Sequence, residues 1–284
     1  MKKEDLPLNI DYSGKVVVIT GGGGVLCSQM SKAFALSGAK VALIDLHLES
    51  GQKVVDEIRK EGGTAKAYVA NVLDKETLEK AHEEILHDFG KCDILINGAG
   101  GNSPKATTTG EFYEAKKAEK EITFFDLSKE GFDFVFNLNI MGTLLNTQVF
   151  AQDMIGRKGC SILNISSMNA FTPLTKIPAY SAAKAGVSNF TKWLATHFAK
   201  EGIRVNAIAP GFFLTKQNAA LLMNPDGTPT ARTKKILNNT PTGRFGEPEE
   251  LLGAVLFLSD EKAASFITGV ILPIDGGFSA YSGV

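Results

Sequence analysis

The sequence is poor in the residues that build disulfide frameworks and metal sites. It contains three cysteines, Cys27, Cys92 and Cys160, and they lie far apart along the chain. That spacing provides neither a disulfide framework nor a close-set zinc site, so we expect buried thiols in a reducing compartment and no bound metal. His82 and His87 lie on a predicted charged helix at a spacing that does not place them on one face, so we expect both at the surface.

The sequence also lacks an excess of charge of one sign and long apolar runs. Thirty Lys and Arg residues against 31 Asp and Glu residues give a formal net charge of −1. This balance provides no electrostatic footprint for nucleic acid or for an anionic membrane. No apolar run approaches the roughly 18–20 residues of a membrane span, and the N-terminal residues lack the apolar segment of a signal peptide. We therefore expect a cytoplasmic protein with no nucleic-acid or membrane partner.

The sequence does contain seven short, β-branched apolar segments that alternate with helical patterns. Continuous hydrophobic strands separated by helices are typical of a parallel sheet covered on both faces. The chain has 284 residues, of which 44% are hydrophobic, and no linker interrupts the alternation. We therefore predict one doubly wound, Rossmann-type α/β domain over 1–284. The predicted strands are 15–20, 40–45, 65–72, 93–100, 160–167, 204–211 and 269–277, and the predicted helices include two long ones, 132–155 and 179–201.

Two segments interrupt this alternation, a polar insertion at 101–131 and a second irregular stretch at 212–247. Each follows the carboxyl end of a predicted strand, which is the edge where open α/β sheets bind ligands. Long loops at that edge frequently form lids or substrate walls. We therefore expect both insertions to lie near an active site.

A glycine-rich segment, TGGGGVLC (20–27), connects the first predicted strand to the first predicted helix. Glycine there allows the backbone to approach a phosphate, and the start of the helix supplies unpaired N–H groups and the positive end of its dipole. The second predicted strand ends in Asp45, whose carboxylate can accept hydrogen bonds from an adenosine ribose and would repel a 2′-phosphate. No Arg or Lys follows Asp45 directly, so the segment favours NAD over NADP as the cofactor.

A serine, a tyrosine and a lysine lie together in NISSMNAFTPLTKIPAYSAAK. Tyr180 and Lys184 are four residues apart in a predicted helix and therefore share one face. A phenol with a pKa of roughly 10 is a poor base at neutral pH, and a nearby ammonium group stabilises its phenolate. Ser167 lies at the end of a predicted buried strand, where its hydroxyl can hold the oxygen of a carbonyl or alcohol during hydride transfer. The combination predicts an oxidoreductase.

These motifs together resemble the short-chain dehydrogenase/reductase family, and the resemblance covers nearly the whole chain. NGAG (97–100) is similar to the fourth-strand motif of the family, and RVNAIAPG (204–211) to the segment beside the nicotinamide. The resemblance implies that Asn139 holds a water in a proton relay, that Ser167, Tyr180 and Lys184 complete the catalytic set, and that Thr215 reaches the carboxamide.

The closer resemblance is to the D-mannonate-oxidising branch of the family, carried by TGGGGVL, the insertion after GAGGN, APGFFLT and DGGFSAYSGV. It implies reversible, NAD-dependent interconversion of D-mannonate and D-fructuronate in hexuronate catabolism. The family resemblance also implies a homotetramer assembled through the two long helices. Two alternatives stay open. The chain could act on another sugar acid or polyol, as a gluconate 5-dehydrogenase does, or it could be a non-catalytic NAD(H)-binding sensor.

We predict cofactor contacts along the carboxyl edge of the sheet. They are Gly21, Gly23, Gly24, Val25, Leu26, Asp45, Asn71, Val72, Asn97, Ala99, Gly100, Tyr180, Lys184, Pro210, Gly211, Phe213 and Thr215. A sugar acid needs a cation or amide donors for its carboxylate and polar partners for its hydroxyls. The predicted substrate contacts are Asn102, Lys105, Ser167, Asn169 and Lys176, with Lys216 and Arg244 as further candidate cations.

Overall fold

The computed structural model describes residues 10–115, 121–214 and 222–283. Its strands are β1 (Val16–Thr20), β2 (Lys40–Asp45), β3 (Thr64–Val69), β4 (Ile94–Asn97), β5 (Ser161–Ile165), β6 (Arg204–Pro210) and β7 (Ile271–Ile274). They form one sheet in the order β3-β2-β1-β4-β5-β6-β7, and every neighbouring pair is parallel. The predicted doubly wound parallel sheet of seven strands is thereby confirmed. Several strands end earlier than predicted, because the small residues that follow them turn into ligand-facing loops.

The helices that flank the sheet follow the predicted alternation. Within the described ranges they are α1 (Val25–Leu36), α2 (Leu48–Lys60), α3 (Lys75–Asp88), α4 (Lys129–Phe136), α5 (Gly142–Phe150), α6 (Pro178–His197), α7 (Ala231–Asn238), α8 (Leu252–Ser259) and α9 (Glu261–Ala264). No helix in the described part of the chain is long and apolar enough to cross a membrane.

The predicted long helix over 132–155 is present as a continuous helical segment over 129–154, but it contains two irregular turns. A π-helical turn, Asn137–Met141, separates α4 from α5, and a 3₁₀ turn, Ala151–Met154, follows α5. Within the π-turn the side chain of Asn139 donates to the carbonyl of Val135, 2.8 Å away. In a regular α-helix that carbonyl accepts a hydrogen bond from the backbone N–H four residues later. The side chain of Asn139 therefore competes with the backbone hydrogen bonds of the helix. Single π-turns inside α-helices occur frequently at functional sites.

The two faces of the sheet carry separate hydrophobic cores. Val17 and Ile19 of β1 pack with residues of α1, α2 and α8 on one face. Val16 and Val18 pack with residues of α3, α5 and α6 on the other. Because side chains alternate along a strand, an unbroken apolar strand supplies both cores at once.

The expectation that both histidines are exposed is wrong for His82. Its Nε2 lies 3.0 Å from Asp153 Oδ2, and 21% of its side chain is exposed, against 88% for His87. The spacing of the two histidines concerns only their own helix, whereas the partner of His82, Asp153, is 71 residues away in the sequence. All three cysteines are buried and free, as expected.

The strand order places one edge of β1 beside β2 and the other beside β4. The connections that leave β1 and β4 therefore diverge to opposite faces of the sheet and open a crevice between them. In open α/β sheets ligands bind in this crevice, at the carboxyl ends of the strands. The glycine-rich segment after β1 and the NGAG segment after β4 form its two sides.

Candidate active site

The four glycines of TGGGGVLC have two different structural roles. Gly21 has a φ of +67° and lies so close to the next loop that a β-carbon would come 3.0 Å from Ala99 Cα. A β-carbon on Gly22 would come 2.8 Å from Leu43 Cβ, and one on Gly23 would come 2.6 Å from Ser50 Cβ. Gly22 and Gly23 thus allow the turn to pack on β2 and α2, while Gly21 and Gly24 face the crevice.

A cavity of about 580 Å³ occupies the crevice, a size within the range of cofactor and ligand sites. Eleven predicted cofactor contacts line it, and they are Gly21, Gly24, Val25, Leu26, Asp45, Asn71, Val72, Ala99, Gly100, Gly211 and Phe213. The start of α1 has Gly24 as its N-cap and no side-chain cap. The first N–H groups of this helix are therefore free to bind an anion, as a dinucleotide pyrophosphate requires. The residues of the cavity fit an NAD-type dinucleotide.

Asp45 at the end of β2 connects the glycine turn to the adenosine side of the cavity. Its Oδ2 accepts a hydrogen bond from the Gly23 backbone N–H at 3.0 Å, and its Oδ1 accepts one from the His47 N–H at 3.2 Å. These bonds hold the carboxylate in place at the cavity wall. Leu46, which follows Asp45, also lines the cavity and brings no positive charge to it.

Some predicted cofactor contacts do not line the cavity. The N–H of Gly23 is directed at Asp45, and Pro210 is buried in β6 beside Ile274. The Asn97 side chain is directed into the interior, where its Nδ2 donates to Thr147 Oγ1 at 3.1 Å and Asn164 Oδ1 at 2.8 Å. A buried amide is held by such partners rather than by a ligand at the surface of the sheet.

Two further sequence-based expectations fall on Thr215 and Lys216, which lie outside the described residues. Cys27, by contrast, was assigned only a packing role, and it contributes to the cavity wall. Its sulfur fills the space in which a β-carbon on Gly98 would lie. Burial raises the pKa of the Cys27 thiol to about 12, so the group is neutral near pH 7.

Tyr180 and Lys184 lie on adjacent turns of α6, as their spacing predicts. The Lys184 Nζ atom lies 5.6 Å from the centroid of the Tyr180 ring. It donates a hydrogen bond of 2.7 Å to the carbonyl of Ile165, and a β-carbon on Gly100 would come 3.2 Å from it. Ile165 and Gly100 both line the cavity. The lysine therefore lies between the tyrosine and the inner wall of the cofactor cavity.

Burial dominates the protonation of both groups. It raises the pKa of the Tyr180 phenol, while the interaction with the Ser167 hydroxyl partly opposes that rise. Burial also lowers the pKa of Lys184 to about 8. The sequence argument expected the ammonium group to be the main influence on Tyr180, and it neglected that a fully folded helix–strand contact removes both groups from water.

Asn139 connects the π-turn to the loop after β4. Its Nδ2 donates to the Gly101 carbonyl at 2.8 Å, and its Oδ1 accepts from the Gly101 N–H at 3.3 Å. A β-carbon on Gly100 would come 2.7 Å from Asn139 Oδ1. The side chain thus holds the loop that forms the cavity wall beside Lys184. The water-holding role that the family resemblance implies stays a prediction.

Ser167 and Asn169 follow β5 and form a small buried polar group. The Ser167 hydroxyl accepts a hydrogen bond from the Asn169 backbone N–H at 3.3 Å and interacts with the Tyr180 phenol. The Asn169 side chain is 5% exposed, and its Oδ1 atom has no hydrogen-bond partner among the described residues. The Oδ1 atoms of Asn97 and Asn146 are likewise buried and without a partner among the described residues, but Asn169 alone of the three lies close to Ser167 in the chain.

The other predicted substrate contacts are dispersed. Asn102 is exposed and donates to Thr107 Oγ1 at 3.0 Å, and Lys105 is exposed. Arg244 forms a bidentate pair with Glu250, with distances of 2.7 and 2.6 Å, so its guanidinium is already engaged. Lys176 instead lines a second cavity, of about 240 Å³, whose wall includes Phe212.

The second cavity contains residues that the sequence analysis missed. These residues are Glu111, Arg232 and Lys235, which line the second cavity but not the cofactor cavity. Phe212 lines both cavities. No local pattern unites these residues, because they come from separate parts of the two insertions. Their charges and their common position at the active edge were the only available signals.

The chain belongs to the short-chain dehydrogenase/reductase family and is an oxidoreductase that acts on alcohol groups. A family model described as enoyl-(acyl carrier protein) reductase matches residues 26–279. The chain is similar to an uncharacterised oxidoreductase of Haemophilus influenzae, with 60% identity over 280 residues that cover 99% of this chain and 98% of the relative. It is also 54% identical to the uncharacterised oxidoreductase UxuB of Bacillus subtilis over 279 residues, 98% of this chain and 100% of the relative.

One solved structure extends this similarity to the cofactor. It is a Haemophilus influenzae protein with the provisional name D-mannonate oxidoreductase, crystallised with bound NAD. The two chains are 60% identical and superpose with a TM-score of 0.95, over 98% of this chain and 99% of the other. Both the fold and the branch of the family expected from the motifs therefore have a structural counterpart.

Proposed function

We propose that this protein is an NAD-dependent oxidoreductase that interconverts D-mannonate and D-fructuronate. The observation that carries the proposal is the position of Lys184, which lies against both the Tyr180 ring and the Gly100 wall of the cofactor cavity. This arrangement brings a proton-transfer group to the place where a bound nicotinamide would meet a substrate. The similarity to the NAD-bound Haemophilus influenzae protein supports the choice of cofactor and of sugar acid.

The cofactor would be held at its two ends by different chemistry. The N–H groups at the start of α1, next to Gly24, would bind the pyrophosphate, and the Asp45 carboxylate would accept hydrogen bonds from the adenosine ribose. Gly211 and Phe213 line the part of the cavity contributed by the segment after β6. When bound, NAD supplies the oxidant, since it accepts the hydride that leaves the carbinol carbon.

Residues of the chain itself transfer the proton of the alcohol. The Tyr180 phenolate accepts the hydroxyl proton as the carbon loses its hydride, so the products are a ketone and a protonated phenol. Lys184 stabilises the phenolate by its charge, and the Ser167 hydroxyl donates a hydrogen bond to the substrate oxygen. In the direction of reduction, the same phenol returns its proton to the developing alkoxide.

Asn169 would bind a hydroxyl of the sugar acid beside the reacting carbon. Its buried Oδ1 atom has no partner among the described residues, and it lies two residues after Ser167. An unpaired buried acceptor is unfavourable until a donor reaches it, so a hydroxyl in that position is selected over a methylene group. This favours a polyhydroxylated substrate over an apolar alcohol.

The test is a substrate panel assayed with NAD and with NADP by the absorbance of the reduced nicotinamide. The panel contains D-mannonate, D-gluconate, D-mannitol and, in the reductive direction, D-fructuronate. The proposal predicts the highest kcat/KM for D-mannonate and D-fructuronate with NAD(H). A higher kcat/KM for D-gluconate would instead identify a gluconate dehydrogenase. A lack of turnover with every compound would contradict the proposed function and favour a sensor.

A homotetramer belongs to the same proposal. The two long helical segments expected to form its interface present an apolar groove lined by residues of α5 and α6. Trp193 is 55% exposed in this groove and stacks on Phe190 and His197, with ring centroids 6.0 and 4.5 Å apart. Exposed aromatic residues of this kind are enriched at protein interfaces. Sedimentation velocity of the purified protein would show a mass of four chains, and a monomer would contradict this assembly.

A further inference from the structure

The second cavity, of about 240 Å³, shares two structural elements with the candidate active site. One of its walls is the segment 172–176, which belongs to the connection between Ser167 and Tyr180. Another is Phe212, which also lines the cofactor cavity. The second cavity is thus built in part from the segment that carries Ser167 and Tyr180 and in part from a residue of the cofactor cavity wall.

The charged side chains of this cavity are mostly basic. Lys176, Arg232 and Lys235 line it together with one acid, Glu111. Lys235 Nζ lies 2.7 Å from Glu111 Oε2, so the single carboxylate is paired with one of the three cations. Neither Lys176 nor Arg232 has an ion-pair partner within the part of the chain that the structure describes. Two positive charges are thus available to an anion.

The electrostatic influence of these cations extends across the cavity. The hydrogen bond from Lys235 lowers the pKa of Glu111, and the charges of Lys235, Lys176 and Arg232 lower it further. The lowered pKa of Glu111 therefore indicates a positive electrostatic potential at its carboxylate. The effect is moderated by solvent, because these groups are exposed.

We propose that Arg232 and Lys176 bind the carboxylate of the sugar acid, and that Glu111 restrains this site by pairing with Lys235. The inference rests on the proposed function and adds the part of the site that distinguishes a sugar acid from a neutral polyol. Arg is suited to this role because its planar guanidinium can hold both carboxylate oxygens at once. Because none of Ser167, Tyr180 and Lys184 lines the second cavity, a carboxylate bound there would be separated from the carbon that reacts. This matches oxidation far from the acid group, as in the conversion of D-mannonate to D-fructuronate.

The experiment compares Arg232→Gln and Lys176→Gln with the wild-type enzyme and with Lys234→Gln. Lys234 is an exposed lysine of the same helix α7 that does not line the cavity, so it is a matched control for loss of surface charge. Steady-state rates are measured with saturating NAD, D-mannonate as the acid and D-mannitol as the neutral polyol. The KM for NAD is measured in parallel.

Loss of a charge-assisted hydrogen bond corresponds to about tenfold to a hundredfold in affinity. We therefore expect Arg232→Gln to raise the KM for D-mannonate by roughly tenfold or more and Lys176→Gln to raise it less, while the KM for NAD stays constant. Lys234→Gln should leave both values unchanged. An unchanged KM for D-mannonate in Arg232→Gln, or equal loss with D-mannitol, would overturn the proposal.

Glu111→Gln provides a second test, in which the KM for D-mannonate is expected to fall rather than rise. This change releases Lys235 and removes the one carboxylate that lines the cavity among the described residues, so it should lower the KM for D-mannonate several-fold and leave the KM for D-mannitol unaffected. A raised KM for D-mannonate would overturn the restraining role of Glu111.

If the wild-type enzyme prefers another hexonate, the assays are repeated with that acid, and the carboxylate site is tested independently of the identity of the sugar. A wild-type preference for D-mannitol over all acids would overturn the carboxylate site itself.

Discussion

The ammonium group of Lys184 lies 5.6 Å from the centroid of the Tyr180 ring, and its hydrogen bond is made to the carbonyl of Ile165. The end of β5 therefore holds the lysine beside the ring of Tyr180. Burial moves the two pKa values apart, since it raises that of Tyr180 and lowers that of Lys184 to about 8. Such paired perturbations in a cleft are typical of catalytic acid–base groups.

Replacement of Tyr180 by phenylalanine removes the proton acceptor and keeps the ring. We expect kcat for sugar-acid oxidation to fall by about 10²–10⁴-fold, the range for loss of general acid–base catalysis. NADH binding, measured by fluorescence titration, should stay within about twofold, because the phenyl ring preserves the packing of α6. Tyr113→Phe, which removes a hydroxyl from a residue that is 65% exposed, is the control. Wild-type turnover in Tyr180→Phe would show that another group accepts the proton.

The pH dependence of oxidation should reveal the charge of Lys184. The reaction requires the Tyr180 phenolate, and burial raises the pKa of the phenol, so kcat/KM is expected to rise with pH. Lys184, with a pKa of about 8, is charged only in the lower part of this range, so Lys184→Met should reduce kcat/KM most below about pH 8 and thereby make the rise begin at higher pH. Lys192→Met, an exposed position of the same helix, should leave the profile unchanged. A rise at the same pH in Lys184→Met would mean that the lysine acts only on cofactor binding.

The carboxylate of Asp45 is expected to determine the preference for NAD. Asp45→Asn keeps an oxygen for the hydrogen bond from the Gly23 N–H and removes the negative charge that repels a 2′-phosphate. We expect the ratio of kcat/KM with NAD to that with NADP to fall by roughly tenfold to a hundredfold. Glu49→Gln, in the first turn of α2 and outside the cavity, controls for the change in net charge. An unchanged ratio would show that residues other than Asp45 determine the preference for NAD over NADP.

The contact between His82 and Asp153 should make stability depend on pH. The hydrogen bond to Asp153 raises the pKa of His82, while burial opposes that rise. Because the folded-state pKa of His82 lies above the ordinary histidine value of 6.5, the stabilisation is complete below about pH 6.5 and is lost as pH rises through the folded pKa. His82→Ala should therefore lower the melting temperature by a few degrees at pH 5.5, and by less at pH 8.5.

The control for this change is His87→Ala, whose side chain is 88% exposed. Both variants are melted at one protein concentration, since assembly would shift the melting temperature by mass action. An equal loss at both pH values would contradict a role for the protonated imidazole and leave only a packing contribution, such as the edge contact of His82 with Phe150.

The sequence predicted the architecture well because the relevant signals are local. The seven apolar segments form seven parallel strands, and the four-residue spacing of Tyr180 and Lys184 places them on one helix face as predicted. The π-turn within the helical segment 132–155 was not predicted, because it involves a side-chain hydrogen bond from Asn139 to the carbonyl of Val135, which the apolar periodicity does not show. Asn97 was assigned to the cofactor because its motif adjoins the cavity, whereas its side chain is directed into the core.

The sequence by itself determined the fold class, the glycine turn followed by Asp45, and the Ser, Tyr and Lys set. These follow from periodicity, turn chemistry and short spacings, which act within a few residues. Only the tertiary structure decided that Gly21 and Gly24 face the cavity while Gly22 and Gly23 pack against neighbours. It alone brought Lys176 and Arg232 to one cavity, because long-range packing of the second insertion against the segment between Ser167 and Tyr180 sets their positions. Burial, likewise a property of the folded chain, set the pKa values of the catalytic pair.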